Sequence, residues 1–216
     1  MKDNSQSGRS MIEMLGVLAI IGVLTVGGIA GFSKAMLMYR TNKTIDQIAQ
    51  AVTRTRVAFI AQKNYRGIGT SEEEIGAVLV SADIIPQEYL VRDKDGNAII
   101  PYRFYNPFKG KVSLRMADKL SPEDKAAFVF RYDFIPKPAC IAIVTSPWGD
   151  TNGIGFIGLA INEPLPEDMY IDNCVASDSE QTGHAIFCTN SGIMPNEVAA
   201  KACSNQKDNT IELLFY

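Results

Sequence analysis

The chain has 216 residues, which is enough for one globular domain of ordinary size and one additional element. Its net charge of −3 and its pI near 5.3 exclude bulk electrostatic attraction to nucleic acid or to anionic lipid. The hydrophobic fraction of 46% suits a globular protein, but these residues are unevenly distributed along the chain.

The first eight residues are polar, and an apolar run of residues 11–32 follows them. Glu13 is the only ionisable side chain in that run. About 20 apolar residues in a helix cross the hydrocarbon core of a bilayer, at about 1.5 Å of rise per residue. The run therefore predicts a membrane-spanning segment.

A removable secretory signal peptide is the alternative interpretation of this run. Such peptides have an apolar region of about 7–15 residues, followed by a cleavage site with small residues. The run here is longer, and no Ala-x-Ala site follows it.

The glycines of the apolar run include the pattern Gly27-x-x-x-Gly31. This pattern indicates either close helix packing in the membrane or only the general frequency of glycine in membrane helices.

The residues after Phe32 predict a continuation of the same helix with one apolar face. Ile45, Ile48, Ala49, Val52 and Phe59 recur at helical spacing among polar residues. No proline interrupts the chain before residue 86, so one helix is expected from about residue 10 to about residue 64. Its first half is a membrane half, and its second half is amphipathic.

The remainder of the chain predicts a small antiparallel sheet with short helices. Ser71 and Glu74 form a capping-box pattern that begins a helix ending near residue 80. The strand candidates are residues 98–100, 111–114, 127–130, 140–144 and a closing strand at residues 210–216. Residues 121–124 predict a helical turn, residues 146–195 loops with at most a short hairpin, and residues 195–203 a short helix. The expected fold class is α+β, with the long N-terminal helix packed on a small disulfide-bearing domain.

Four cysteines lie in the last 80 residues: Cys140, Cys174, Cys188 and Cys203. An even number of cysteines beyond a membrane anchor predicts disulfides on the exported side. Zinc ligation needs close pairs such as C-x-x-C, which this sequence lacks. Four cysteines allow three pairings, and spacing alone does not choose among them.

The segment from Gly8 to Leu24 resembles the processing and assembly segment of type IV prepilins and pseudopilins. The resemblance covers about 25 residues and rests on Gly8, Glu13 and the apolar run. It implies cleavage after Gly8 by a prepilin peptidase, N-methylation of Arg9 as the new first residue, and Glu13 at the fifth mature position. The family usually has phenylalanine or methionine where this chain has Arg9. The implied domains are a leader (1–8), a long helix (9–64, with 11–32 in the membrane) and a globular domain (65–216).

The globular domain is similar to type IVb pilins in two respects. Residues 106–112, with sequence NPFKGKV, resemble a turn segment of those proteins. Type IVb pilins also pair a late cysteine with one near the chain end, and Cys140 and Cys203 occupy similar places here. This similarity favours Cys140–Cys203 as one disulfide. The other two cysteines are then expected to pair as Cys174–Cys188, which closes a short local loop and goes beyond the single bridge common in pilins.

Glu13 is the residue that the resemblance makes functional. A carboxylate deep in a membrane helix costs about 2.5–3.5 kcal/mol on insertion scales, so such residues usually have a partner. The resemblance implies that this partner is the free amine of a neighbouring subunit's Arg9. The alternative is that Glu13 reaches the interface and only complements the helix dipole.

The resemblance implies a structural subunit of a type IV pilus-like filament. The expected partners are other copies in a helical filament, the prepilin peptidase, an inner-membrane assembly platform and, before assembly, the membrane itself. The precursor is expected to cross the inner membrane once with a cytoplasmic N-terminus, and the mature chain to form a periplasmic or extracellular filament. The flanking positive charges do not settle this orientation, which rests on the processing motif and the cysteines.

Two alternatives remain open, a pseudopilin of a type II secretion system and a membrane-anchored monomeric binding domain. The sequence predicts no enzyme, cofactor, metal or nucleic-acid partner. The lone His184 has no catalytic context, and Asp168, Asp172 and Asp178 are expected to be solvated loop residues rather than a calcium site.

Overall fold

The computed structural model describes residues 7–118, 124–148, 155–166, 177–179, 184–188 and 194–216. The chain divides into two units: Met1–Tyr39, here named the stem, and Arg40–Tyr216, here named the head. One helix, α1 (Ser7–Phe59, 53 residues), begins in the stem and ends in the head. The long helix is therefore confirmed, but it ends five residues before the predicted residue 64.

The head part of α1 buries one face. Ile48, Val52 and Phe59 are buried, as the sequence predicted, whereas Ile45 and Ala49 are only half-buried. Thr44 and Thr55 are also buried on this face. The Thr44 hydroxyl donates a hydrogen bond to the Arg40 carbonyl (2.8 Å), and the Thr55 hydroxyl donates one to the Ala51 carbonyl (2.7 Å). A hydroxyl bonded within its own helix can enter an apolar core without an unsatisfied donor.

The head contains one antiparallel sheet of seven strands in the order β1-β2-β3-β7-β4-β6-β5. The strands are β1 (Phe104–Tyr105), β2 (Lys111–Ala117), β3 (Ala127–Ile135), β4 (Phe156–Ile161), β5 (Ser177–Ser179), β6 (His184–Cys188) and β7 (Asn209–Phe215). In the described ranges, the short α-helices that accompany them are α2 (Glu72–Ser81), α3 (Lys137–Val144) and α4 (Asn196–Ala202).

The predicted closing strand is confirmed as β7, but it lies in the middle of the sheet. It pairs with β3 on one side and with β4 on the other. Ile211, Leu213, Leu214 and Phe215 are all at most 1% exposed. Since a central strand is covered on both faces, its apolar residues run almost continuously instead of alternating with polar ones.

Two of the predicted strands are wrong. Residues 140–144 belong to α3, which begins after Pro136 and has Pro138 in its first turn, where the missing N–H costs no helical hydrogen bond. Residues 98–100 form no strand, and Ala98 makes only an isolated bridge with Arg92. Short apolar runs are ambiguous between helix and strand, and the flanking prolines decide the first of these cases.

The segment 146–195, predicted to be loops with at most a short hairpin, contains three strands among its described residues; β5 and β6 form a short hairpin, whereas β4 was missed. β4 is buried along its whole length and pairs with β7, while β5 and β6 extend the sheet beyond it. The predicted turn at residues 121–124 begins outside the described residues. The predicted helix near the C-terminus is confirmed as α4, with Pro195 at its N-cap.

Both faces of the sheet carry buried side chains. Ring contacts connect Phe59 of α1 to Tyr65 (5.5 Å between centroids), Tyr65 to Phe128 (4.7 Å) and Phe128 to Phe215 (6.0 Å). A second cluster contains Ala117, Ala127, Val129, Ile157, Ala160, Leu165, Cys188 and Leu214. Because β3 contributes to both clusters at alternating positions, its pleat separates an aromatic core from an aliphatic one.

The capping box at the start of α2 is confirmed. The Ser71 hydroxyl accepts a hydrogen bond from the Glu74 N–H (3.2 Å), and the Glu74 carboxylate accepts from the Ser71 N–H (3.1 Å). Hydrogen bonds from the N–H groups of Thr70 and Ser71 hold the pKa of Glu74 below its ordinary value. This reciprocal cap determines where α2 begins.

Candidate functional site

The stem presents an apolar surface with no cover of its own. Every side chain from residue 11 to residue 35 is exposed, including Ile12 (74%) and Val23 (75%). Its mean hydropathy reaches 2.3 over an 18-residue window, and the helix is long and apolar enough to cross a membrane. Because water makes such exposure costly, covering this surface with lipid or with other apolar helices would be favourable.

Two hydroxyl groups of the stem, those of Thr25 and Ser33, are hydrogen-bonded within the helix. The Thr25 hydroxyl donates to the Ile21 carbonyl (2.7 Å), and the Ser33 hydroxyl donates to the Ile29 carbonyl (2.9 Å). A Cβ atom added at Gly27 or Gly31 would meet nothing within 4 Å in this chain. Any close approach that needs these glycines must therefore come from outside the chain.

The predicted processing and assembly residues lie near the start of α1. Gly8 and Arg9 are in its first turn, and the side chain of Arg9 lies outside the described part of the structure. Glu13 is exposed one turn after Arg9, at the spacing of four residues that puts both on one side of a helix. Cleavage after Gly8, methylation of Arg9 and the pairing of Glu13 stay predictions.

One disulfide connects the helices α3 and α4. Cys140 of α3 and Cys203, which follows α4, are bonded with their Cα atoms 6.0 Å apart, and both are fully buried. Cys188 of β6 is also buried and disulfide-bonded. Cys174 lies outside the described residues, so the pair Cys174–Cys188 stays a prediction.

The turn at residues 106–110 is held by a buried asparagine. The Asn106 amide donates to the Asp133 carbonyl (2.7 Å), and its side-chain oxygen accepts from the N–H groups of Phe108 (2.8 Å) and Gly110 (3.1 Å). Asn106 is only 1% exposed, so all of these hydrogen bonds lie away from water. The turn and the end of β3 are therefore connected through one side chain.

Gly110 is required for this connection, and Gly110→Ala is expected to destabilise the head by at least about 2 kcal/mol. A Cβ atom there would lie 1.7 Å from the Asp133 carbonyl oxygen, so the backbone of β3 would have to move. The check is thermal unfolding of the full chain in detergent. Gly96→Ala is the control, since it adds a Cβ at a positive φ (+85°) in open space and is expected to cost only about 1 kcal/mol. Equal losses in the two variants would contradict the role of Gly110.

A buried carboxylate connects three strands and a loop, and sequence reasoning missed it. Glu212 of β7, 3% exposed, accepts hydrogen bonds from Arg115 of β2 (3.1 Å), Arg131 of β3 (3.4 Å) and the backbone N–H of Leu165 (3.0 Å). The available signal was a glutamate inside the apolar stretch 211–215, since a charge in a buried strand needs partners. The network fixes the loop at residue 165 to the sheet.

The aromatic core contains two tyrosines with shifted acidity. Burial raises the pKa of Tyr132, and the neighbouring Tyr89 raises it further. Burial also raises the pKa of Tyr65, while the charge of Arg56 lowers it in part. Both tyrosines therefore stay neutral hydroxyls at ordinary pH and act as packing residues.

The side chains considered for catalysis or metal binding all lie outside the described part of the structure. Among the described residues, no group of three or more His, Cys, Asp or Glu side chains could hold a metal ion. His184 is in β6 and Asp178 in β5, with side chains outside the description, and Asp168 and Asp172 lie outside the described residues altogether.

Comparisons with known proteins match nearly the whole chain. A family model described as PilS N terminal matches residues 38–214. Major structural subunits of the bundle-forming pilus, from Escherichia coli O111:H- and from Escherichia coli O127:H6 (strain E2348/69 / EPEC), are each 24% identical over 216 residues, which cover 100% of this chain and 96% of theirs. The chain is also similar in structure to TcpA, a type IV pilin from Vibrio cholerae El Tor biotype, whose crystal structure aligns with a TM-score of 0.54 and 14% identity. The alignment covers 82% of this chain and 99% of the TcpA chain. This likeness concerns the fold alone.

Proposed function

Because the chain belongs to the PilS family of type IV pilins, we propose that it is a structural subunit of a type IV pilus-like filament. The family match covers most of the head, and the relatives matched over the full chain are named as major pilus subunits. That full-length match supports a pilus subunit over a secretion pseudopilin. The proposed role is structural rather than catalytic.

The observation that carries this proposal is the exposure of the stem. Its side chains are uncovered all round from residue 11 to residue 35, whereas the head has buried cores of its own. A monomeric anchor would need lipid around this surface permanently. When a filament subunit leaves the membrane, the stems of neighbouring copies can replace the lipid around its own stem. The same apolar area then stays buried.

The proposal includes processing at the start of α1. A prepilin peptidase cuts after Gly8, and Arg9 becomes a methylated N-terminus. The precursor crosses the inner membrane once with its N-terminus in the cytoplasm, and an assembly platform there transfers it to the periplasmic or extracellular filament. The amine created by the cut is positive, so it can pair with Glu13 of a neighbouring copy and remove both charges from the apolar interior.

The proposal also includes a second disulfide, Cys174–Cys188. Cys188 is disulfide-bonded and Cys140 is paired with Cys203, which leaves Cys174 as the remaining cysteine of the sequence. A bridge there would close a short loop and restrict its unfolded conformations.

The experiment is intact-mass and N-terminal analysis of filaments sheared from native cells, without reduction. We expect a chain that starts at Arg9, carries one added methyl group, and is four hydrogens lighter than its fully reduced form, as two disulfides require. A mature chain that still starts at Met1, or no chain in the sheared fraction, would contradict the proposed processing or the filament itself. Electron microscopy of the same fraction separates these two failures.

A further inference from the structure

The head has an apolar groove at the end of α1. It has a volume of about 740 Å³, and its lining includes Val57, Phe59, Ile60, Tyr65, Ala126 and Tyr216. Val57 is 63% exposed and Ile60 82%, although both are fully apolar. The charged residues that line it are Arg56 and Lys63, and no acidic side chain among the described residues lines it.

A protruding aromatic ring lies elsewhere on the head, in β3. Phe134 has φ +57° and is 55% exposed. Left-handed backbone is unusual for a bulky side chain, because its Cβ crowds the neighbouring carbonyl, and glycine would adopt it without strain. The position is a bulge in the pairing of β3 with β7 between Tyr132 and Ile135.

The residues on both sides of Phe134 hold the ring outward. Ile135 is fully buried, and the Asp133 carbonyl accepts the hydrogen bond from the Asn106 amide (2.7 Å). These contacts hold the backbone on both sides of Phe134. An exposed aromatic kept in a strained conformation by its surroundings is typical of a functional position.

The groove and the ring lie at opposite ends of the same strand. Ala126, which lines the groove, comes directly before β3, and Phe134 is the eighth residue of β3. At about 3.3 Å per residue, the two features are about 25 Å apart. One copy therefore cannot bring its own ring into its own groove, but two copies aligned along the strand direction can.

We propose that Phe134 of one copy inserts into the apolar groove of the next copy along the filament, an inference that rests on the proposed function. A polymer of identical subunits needs a head-to-tail contact between two different surfaces of the chain. The groove suits a phenyl ring, because Phe59, Tyr65 and Tyr216 offer aromatic contacts and Arg56 and Lys63 are cations that attract the face of a ring. The occupant of the groove is thus a second copy of this chain.

The first test is Phe134→Gly, for which stability and assembly are expected to change in different directions. Glycine relieves the strain at positive φ, so the melting temperature of the full chain in detergent should stay equal or rise. The yield of sheared filaments should fall at least tenfold, because the ring is lost. Ile100→Ser is the control, since Ile100 is also an exposed apolar residue (69%) and lies outside the groove, and wild-type yield is expected. A wild-type filament yield for Phe134→Gly would overturn the proposal.

The second test places a photoreactive phenylalanine analogue at position 134, in filaments that also contain the wild-type chain so that assembly is retained. Irradiation should join two copies, with the cross-link in the peptide that contains residues 57–65. The same analogue at position 100 should not reach that peptide. Cross-links that map to another part of the head, or to another protein, would overturn the proposal while leaving the filament itself intact. Absence of any filament of the wild-type chain would instead contradict the proposed function.

Discussion

Glu13→Ala is expected to lower the yield of sheared filaments about a hundredfold while leaving the membrane-anchored chain at its wild-type level. In the proposed filament, the substitution leaves the amine of the neighbouring Arg9 without its carboxylate in an apolar interior. An uncompensated charge in such surroundings costs about 2.5–3.5 kcal/mol, and each 1.4 kcal/mol is a factor of ten. Immunoblots of sheared and membrane fractions measure both quantities.

The matched control is Met14→Ala, which removes an exposed apolar side chain (65%) next to Glu13 without changing any charge. It should retain most of the filament yield. Glu13→Gln should behave like the alanine variant, because the amide keeps the size of the side chain but not its charge. Wild-type filaments from the alanine and glutamine variants would mean that Glu13 only complements the helix dipole, and the proposed pairing with Arg9 would be wrong.

The paired substitution Cys140→Ser with Cys203→Ser is expected to destabilise the head by about 4 kcal/mol. The bridge closes a loop with a sequence separation of 63 residues, and removing it restores the conformational freedom of that loop in the unfolded chain. For a chain of this size, the loss corresponds to a fall of about 8–16 °C in melting temperature. Thermal unfolding of the full chain in detergent, without reductant, checks this value.

The paired alanine variant, Cys140→Ala with Cys203→Ala, is the control for the hydroxyl groups that serine introduces at two fully buried positions. If the loop accounts for the loss, the two paired variants should lie close together. A fall of less than about 3 °C in the alanine pair would contradict the expected contribution of the bridge, since α3 and α4 would then hold together without it.

The features that the sequence predicted correctly depend on neighbours in the chain. Ser71 and Glu74 of the capping box are three residues apart in the sequence, and α2 begins at the position that this pattern predicted. Helical periodicity without proline predicted α1 through residue 59. The buried positions of its amphipathic half were only partly correct, since Thr44 and Thr55 take places in the core that an apolar pattern does not assign to threonine.

The errors occur where distant contacts decide. Residues 140–144 are apolar and rich in β-branched side chains, yet they form a helix whose Cys140 is bonded to Cys203. The segments that became β4 and β6 are short and surrounded by Gly, Asn and Asp, so local pattern alone predicted loops there with at most a short hairpin. β4 pairs with β7, which comes last in the chain, and β6 pairs in turn with β4, so the position of both strands depends on a distant partner.

The sequence by itself determined the membrane-compatible helix and the α+β class, because these depend on composition and periodicity within one stretch of chain. The processing segment stays a prediction that rests on the resemblance to prepilins. Only the tertiary structure decided the central position of β7, the buried network of Glu212, and the placement of the groove and Phe134 at opposite ends of β3. These features join residues that are far apart in the chain, or depend on a bulge set by strand pairing. Local periodicity contains no information about which strand becomes the neighbour of another, and that choice creates the surfaces proposed for assembly.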